Sequence, residues 1–300
     1  MMPGTTVNNS SWTTIQIPMD PKASAVMYGT INSSGTGIPA RIIIKDVVPD
    51  TLWVTGDYIY HGYEGEYQIE ITADGYYPYL GTVNLHPGSQ VQHFNLSPAT
   101  VLFEEDWESD TAQWELEGPW VIISDLSESG HAITDSWGGR GHYAQNCNVW
   151  IKTANPIQIP AGSSPLLTFE SHLHTEWDHD PVRVEASPDG QSWTQLWINS
   201  GRQDWWQDTY VDLSSLAGQS VYLRFRLQDS STADELTDPG WTIDNIKLVT
   251  GTATLNANMV NPVDARSPFA PKLTPPLQIP NQLLPTVWLS PAKCRSRSSI

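Results

Sequence analysis

Three groups of residues have the types and spacing to do chemistry. The densest is His172-Leu173-His174-Thr175-Glu176-Trp177-Asp178-His179-Asp180. Side chains alternate along a strand, so Glu170, His172 and His174 share one face. Two imidazoles and a carboxylate are a donor set for Zn²⁺, provided the ring nitrogens converge. An exposed strand face running into an acidic loop accounts for the same residues without a metal, and is the preferred reading. The second group is Asp244, set inside the apolar run Trp241-Thr242-Ile243-Asp244-Asn245-Ile246. A carboxylate buried there is costly unless it is paired or metal-bound. The plainer alternative has Asp244 facing solvent or capping a backbone amide. The third is Trp205-Trp206, with Trp193 and Trp197 upstream. Neighbours in a strand point to opposite faces, so one of the pair is expected to be exposed as a stacking platform for a glycan. At least half of these indoles are expected in a core.

No catalytic motif accompanies these groups. The sequence has no serine nucleophile elbow, Walker loop or Cys-x-x-Cys. No histidine is followed by glutamate, so His-Glu-x-x-His is absent. Ser187-Pro188-Asp189-Gly190-Gln191-Ser192-Trp193 has the form of an Asp-box hairpin. A propeller would repeat it, and it occurs once, so it reads as a type I turn with Gly190 in the left-handed region. A two-carboxylate glycosidase stays open as an alternative, because its pair need not be close in sequence.

The elements that must position these residues are strands. Helical periodicity is nearly absent, while alternating runs and Gly/Pro/Asn/Asp turns dominate. Residues 1–24 form a polar lead-in. Residues 25–98 form a first unit, with strands expected at Val26–Asn32, Arg41–Asp46, Glu66–Thr72, Tyr79–Leu85 and Gln90–Asn95. Residues 101–250 form a second unit with two clean alternations. In Val182–Ala186 the valines and the alanine point one way. In Val221–Leu227 the aliphatics and Phe225 share one face, and Arg224 and Arg226 share the other. One buried and one solvated face per sheet predicts two all-β sandwiches in tandem. Residues 251–300 read as a Pro-rich linker and basic tail, expected to be disordered, with eight prolines between 262 and 291.

Composition narrows the function. A length of 300 residues with 39% hydrophobic residues suffices for real cores. The net charge of −18 excludes nucleic acid and anionic membrane as natural partners, since phosphate binding needs clustered Lys and Arg. The only cysteines, Cys147 and Cys294, are too few for a disulfide framework and are expected as free thiols. No run of ~18 apolar residues exists, so no transmembrane helix is expected. Residues 1–20 lack the plan of a signal peptide, so a secreted protein would carry this chain as part of a longer one.

Within the first unit, Gly29-Thr30-Ile31-Asn32, Gly37-Ile38-Pro39-Ala40, Gly65-Glu66-Tyr67 and Ala73-Asp74-Gly75-Tyr76 resemble the carboxypeptidase regulatory-like β-sandwich. The unit departs from that family's Thr-Asp-x-x-Gly turn at Thr55-Gly56-Asp57. These are turn and packing residues and imply no activity. In the second unit, Phe103–Ser109 resembles the opening of MAM-like jelly rolls. Thr134-Asp135-Ser136, Leu166–Phe169, Val182–Ser187, Asp189-Gly190, Val211–Ala217 and Gly240–Ile246 resemble the accessory domain of immune inhibitor A-type (M6) metallopeptidases. Trp137 and Asn245 depart from that pattern.

The resemblance implies a non-catalytic jelly roll holding one structural Ca²⁺, with Asp106, Glu108, Asp135 and Asp244 as ligands. Ca²⁺ is preferred to Zn²⁺ because the donors are all oxygen. The expected function is the accessory region of a secreted or cell-surface bacterial protein, namely a peptidase. That region would give structural support beside an adjacent catalytic domain and bind a glycan or a protein polymer, through Trp205 or Trp206. The alternative is an autonomous adhesin or lectin-like protein.

Overall fold

The computed structural model describes residues 21–45, 49–124, 130–136, 141–203, 205–229 and 239–251. Most of the lead-in, nearly all of the tail, Trp137 and Cys294 lie outside them. The chain is all-β: sandwich sheets, and among the described residues no α-helix.

The N-terminal strands are β1 (Ser24–Ser33), β2 (Thr36–Gly37), β3 (Pro39–Lys45), β4 (Asp50–Thr55), β5 (Asp57–Tyr63), β6 (Gly65–Thr72), β7 (Tyr79–Leu85), β8 (Gly88–Val91) and β9 (Phe94–Asn95). They run β2-β1-β5-β4-β3-β6-β7, with β8 and β9 parallel to β1. β4 and β5 pair only at Thr55↔Asp57, so the sheet turns a corner there. Gly56 makes the corner, with φ +73 and its Cα against Gly37. Both layers then close on one core containing Met27, Ile31, Ile42, Ile44, Tyr67 and Ile69. The hairpin β4–β5 is missing from the strands read off the sequence. It covers the stretch that departs from the regulatory-like pattern; Leu52 and Val54 of β4 are only half-buried, while Tyr58 and Tyr60 of β5 are buried in the core.

The C-terminal strands are β10 (Thr100–Glu105), β11 (Trp114–Glu117), β12 (Val121–Ile123), β13 (Ala132–Thr134), β14 (Asn148–Thr153), β15 (Ile157–Gln158), β16 (Ser164–His174), β17 (Val182–Ser187), β18 (Thr194–Asn199), β19 (Gln207–Asp212), β20 (Ser220–Gln228) and β21 (Gly240–Gly251). One sheet runs β12-β13-β21-β16-β19 with β10 beside β21; the other runs β11-β14-β20-β17-β18 with β15 beside β20. Between them Phe169, Phe225, Trp197 and Trp241 form a ring cluster, with Trp197 stacked on Trp241 at 6.0 Å between centroids. Edge-to-face and offset contacts of this kind add to the area that aromatic rings bury.

Val182, Val184, Ala186, Val221, Leu223, Phe225 and Leu227 all face this core. The opposite face is less solvated than alternation predicts. A register shift between Val184 and Glu185 accompanies the burial of Glu185. Its carboxylate accepts from Arg224 (2.6 Å) and Arg226 (2.7 Å), and the Arg224 guanidinium stacks 4.0 Å from the Trp193 ring centroid.

The two sandwiches meet through Tyr77 and Leu80 on one side and Leu166, Tyr210 and Val249 on the other. Polar contacts ring this patch. Arg41 donates to Asp208 at 2.7 Å, the Tyr210 hydroxyl lies 3.5 Å from Glu70, and Lys45 pairs with Glu70. Burial pushes the Glu70 carboxyl up, opposed by the charge of Lys45.

Candidate functional site

The outer face of the sheet containing β16, β19 and β21 carries the chemistry. Pairing sets Glu170 opposite Asp208 on one side and Asp244 on the other. The ladder between β16 and β21 shifts register between Thr168 and Glu170, and Asn245 has φ +49. A bulge of this kind re-aims side chains. Asp244 is fully buried, and its Oδ2 has no hydrogen-bond partner. Burial, then the charges of Glu170, Glu108 and Asp106, raise its carboxyl to about 7, against one stabilising bond from Asn245 N–H (2.7 Å). Asp106 accepts from Glu108 N–H at 3.2 Å. Glu108 accepts from His131 N–H at 2.6 Å, and its other oxygen lies 2.9 Å from His131 Nδ1.

Asp135 Oδ1 accepts from Trp241 N–H at 3.0 Å beside Gly240. Burial raises Asp135 to about 7 as well, and its Oδ2 is unbonded. Its electrostatic company is Asp180 and Asp229, which act with it on the half-buried Cys147 thiol. The charges of Glu170, Glu108 and Asp106 thus act on Asp244, while Asp135 is held at Trp241 N–H. Among the described residues no three His, Cys, Asp or Glu side chains form a ready metal-binding group. An all-oxygen donor set with a buried, unbonded carboxylate oxygen on Asp244 is nevertheless of the chemistry that suits a hard cation.

The histidines lie further along the same face. The His172 and His174 rings are 4.7 Å apart between centroids, and His172 is 5.8 Å from Trp206. His174 Nε2 lies 2.9 Å from the Gln203 carbonyl oxygen. Trp205 is 54% exposed, while Trp206 is half-buried. In the hairpin after β17, Gly190 has φ +71, and Asp189 Oδ1 accepts from the N–H groups of Ser192 and Gln191. Those bonds hold the Asp189 carboxyl well below its usual range.

Sequence reasoning missed a cleft of about 800 Å³ between the sandwiches. β3 and β4 contribute Arg41, Trp53, Val54 and Thr55, and the facing sheet contributes Glu170, Asp208, Tyr210, Asn245 and Lys247. Trp53 is 77% exposed, with the Arg41 guanidinium 5.8 Å from its ring centroid. Lys247 pairs with Glu104 at 2.6 Å, and Asn245 Nδ2 donates to Glu170 at 3.1 Å. The available signal was Trp53 itself, a large ring in a run of β-formers.

No family model matches the chain. Over 170 residues it is 29% identical to Bacillopeptidase F of Bacillus subtilis (strain 168), covering 53% of this chain and 12% of that protein. Over 119 residues it is 34% identical to Pre-pro-metalloprotease PrtV of Vibrio cholerae (strain ATCC 39315 / El Tor Inaba N16961), covering 36% of this chain and 13% of that protein. The chain thus spans about an eighth of the length of these curated relatives. Among solved structures, the K1 cleaved adhesin domain of Lys-gingipain from Porphyromonas gingivalis W83 aligns with TM-score 0.36 and 15% identity, covering 53% of this chain and 99% of that one. TmCBM61 in complex with β-1,4-galactotriose aligns with TM-score 0.33 and 12% identity, covering 49% and 94%.

Proposed function

We propose that the chain is a non-catalytic accessory region of a secreted multidomain bacterial peptidase, supporting a catalytic domain and holding its substrate. The observation that carries this is the match to a limited stretch of Bacillopeptidase F, 170 residues making up 12% of that protein. A second peptidase matched over a similarly small share supports it. The packing of the two sandwiches through Tyr77, Leu80, Leu166, Tyr210 and Val249 suits a spacer that presents one surface at a fixed angle. In finer detail, the first sandwich is of the carboxypeptidase regulatory-like kind and the second of the MAM-like kind.

A structural Ca²⁺ belongs to this reading, held by Asp244 with Asp106 and Glu108. The ion would supply the positive charge that these carboxylates lack, so that Asp244 can stay ionised at neutral pH. Exposed Trp205 favours a second reading, an adhesin or lectin-like surface that stacks a sugar on this indole.

Fusion of the chain to a small peptidase catalytic domain tests the first reading. Tethered substrate binding raises the effective concentration of a long polypeptide and leaves a small chromogenic peptide unaffected. The expected result is a higher kcat/KM on unfolded casein alone. Equal kcat/KM with and without the chain overturns it.

A further inference from the structure

We infer that the inter-sandwich cleft docks an extended polypeptide segment carrying a basic side chain, paired along the outer edge of β4. This deepens the accessory-region reading and rests on it for the identity of the polypeptide as a peptidase substrate.

The first ground is the backbone. Gly56 N–H donates to the Ile38 carbonyl at 3.0 Å, one bond just beyond the β3–β4 ladder that sets its phase, while Ile38 N–H and Gly56 C=O both bond to Ile31. Bonded pairs alternate in an antiparallel ladder, so Val54 and Leu52 bond to Ala40 and Ile42. The N–H and C=O groups of Thr51 and Trp53 then point away from β3. On that side β4 meets β5 only at Thr55↔Asp57, so among the described residues this edge is open. Natural edges are commonly guarded by Lys, Pro or a bulge. Asp50-Thr51-Leu52-Trp53-Val54-Thr55 has no Lys and no Pro, and is rich in β-formers. An open edge of this kind takes up a further strand.

The second ground is the wall beside that edge. Trp53, Val54 and Thr55 line the cleft, and Trp53 presents its indole to solvent. Tyr210 and Val249 give the far side an apolar floor. Alternate side chains of an added strand would enter this trough while its backbone pairs with β4.

The third ground is charge. The lining holds four carboxylates, Asp74, Glu104, Glu170 and Asp208, against two cations, Arg41 and Lys247. Both cations are already committed, to Asp208 and Glu104. The surplus is negative, in a lining that also holds the Trp53 indole, whose ring has Arg41 over it and is still 77% exposed. Carboxylates beside an exposed indole are the surrounding a Lys or Arg side chain favours.

The test uses the full chain in Ca²⁺-containing buffer at physiological salt. A fluorescein-labelled alternating Thr-Lys peptide is titrated by anisotropy, with Thr-Glu and Thr-Ser peptides and a neutral β-1,4-glucan oligomer in parallel. The expected order is Thr-Lys, then Thr-Ser, with Thr-Glu weakest. Trp53→Ala is expected to weaken Thr-Lys binding roughly tenfold. Thr51→Pro removes one open N–H on the edge and is expected to weaken it roughly fivefold. Both variants keep the net charge and change exposed positions, so unaltered melts show that they fold. Equal affinity in wild type and both variants overturns the docking, because attraction to an acidic surface would suffice. Binding of the glucan oligomer that is lost in Trp53→Ala, with no peptide binding, overturns it in favour of a sugar. Cleavage of the peptide by the chain would refute the non-catalytic reading instead, and would leave the docking standing.

Discussion

Without divalent cation the jelly roll is expected to lose stability between pH 5 and pH 8, and Asp244→Asn is expected to remove about half of that loss. Asp244 and Asp135 are both fully buried, and burial raises each to about 7 in the folded state. In the unfolded chain an Asp titrates near ~3.9. Each group therefore holds its proton more tightly when folded. The stability this gives is fully present below pH ~4 and is lost as pH rises through 7, where the folded state must ionise a buried acid. At about 1.4 kcal/mol per pH unit, each group costs about 2.5 kcal/mol between pH 5 and 8. Asp244→Asn removes one of the two contributions, and bound Ca²⁺ offsets the same one by stabilising the ionised carboxylate. The assay is urea unfolding in EDTA at both pH values, followed by tryptophan fluorescence. Trp107, Trp114, Trp197 and Trp241 are buried in the jelly roll, so the signal reports on it. Wild type is expected to lose about 5 kcal/mol, the variant about half of that. The same pH dependence in wild type and Asp244→Asn would refute the assignment of the raised carboxyl and, with it, the reason for a cation there.

Other outcomes follow from the packing. Glu185→Ala leaves Arg224 and Arg226 half-buried without their shared carboxylate and is expected to cost about 3–5 kcal/mol by urea titration. Gly240→Ala is expected to lower the melting temperature well beyond Gly35→Ala. Both glycines have positive φ, but a Cβ at Gly240 would lie 2.1 Å from Asp135 Oδ1, whereas Gly35 faces open space. Asp208→Ala strips Arg41 of its partner across the sandwich interface and is expected to speed limited proteolysis between residues 96 and 100, with little change in jelly-roll stability.

The parts of the fold governed by local alternation were legible in the sequence. Val182–Ser187 and Val221–Leu227 show their buried faces directly, because every second side chain meets the same core. Glu185 was not legible, since its burial goes with a register shift and with two arginines on a strand 39 and 41 residues away. Asp244 was legible as an acid in an apolar strand, yet its partners were only partly so. The hydrogen bond from Trp241 N–H holds Asp135 near the start of β21, and the shifted ladder sets Glu170 opposite Asp244. Trp53 escaped notice because the corner at Gly56 separates β4 from β5, and the cleft exists only once the second sandwich packs against the first. Nothing periodic in a single strand encodes such a contact.

A chain that holds a polypeptide without cutting it is expected to keep that polypeptide intact and bound. The most direct measurement is size-exclusion chromatography of fluorescein-labelled unfolded casein after prolonged incubation with the purified chain. Full-length label is expected to co-elute with the chain, and Trp53→Ala is expected to return it to the position of free casein. Label eluting as small fragments, produced by the chain itself, would contradict it.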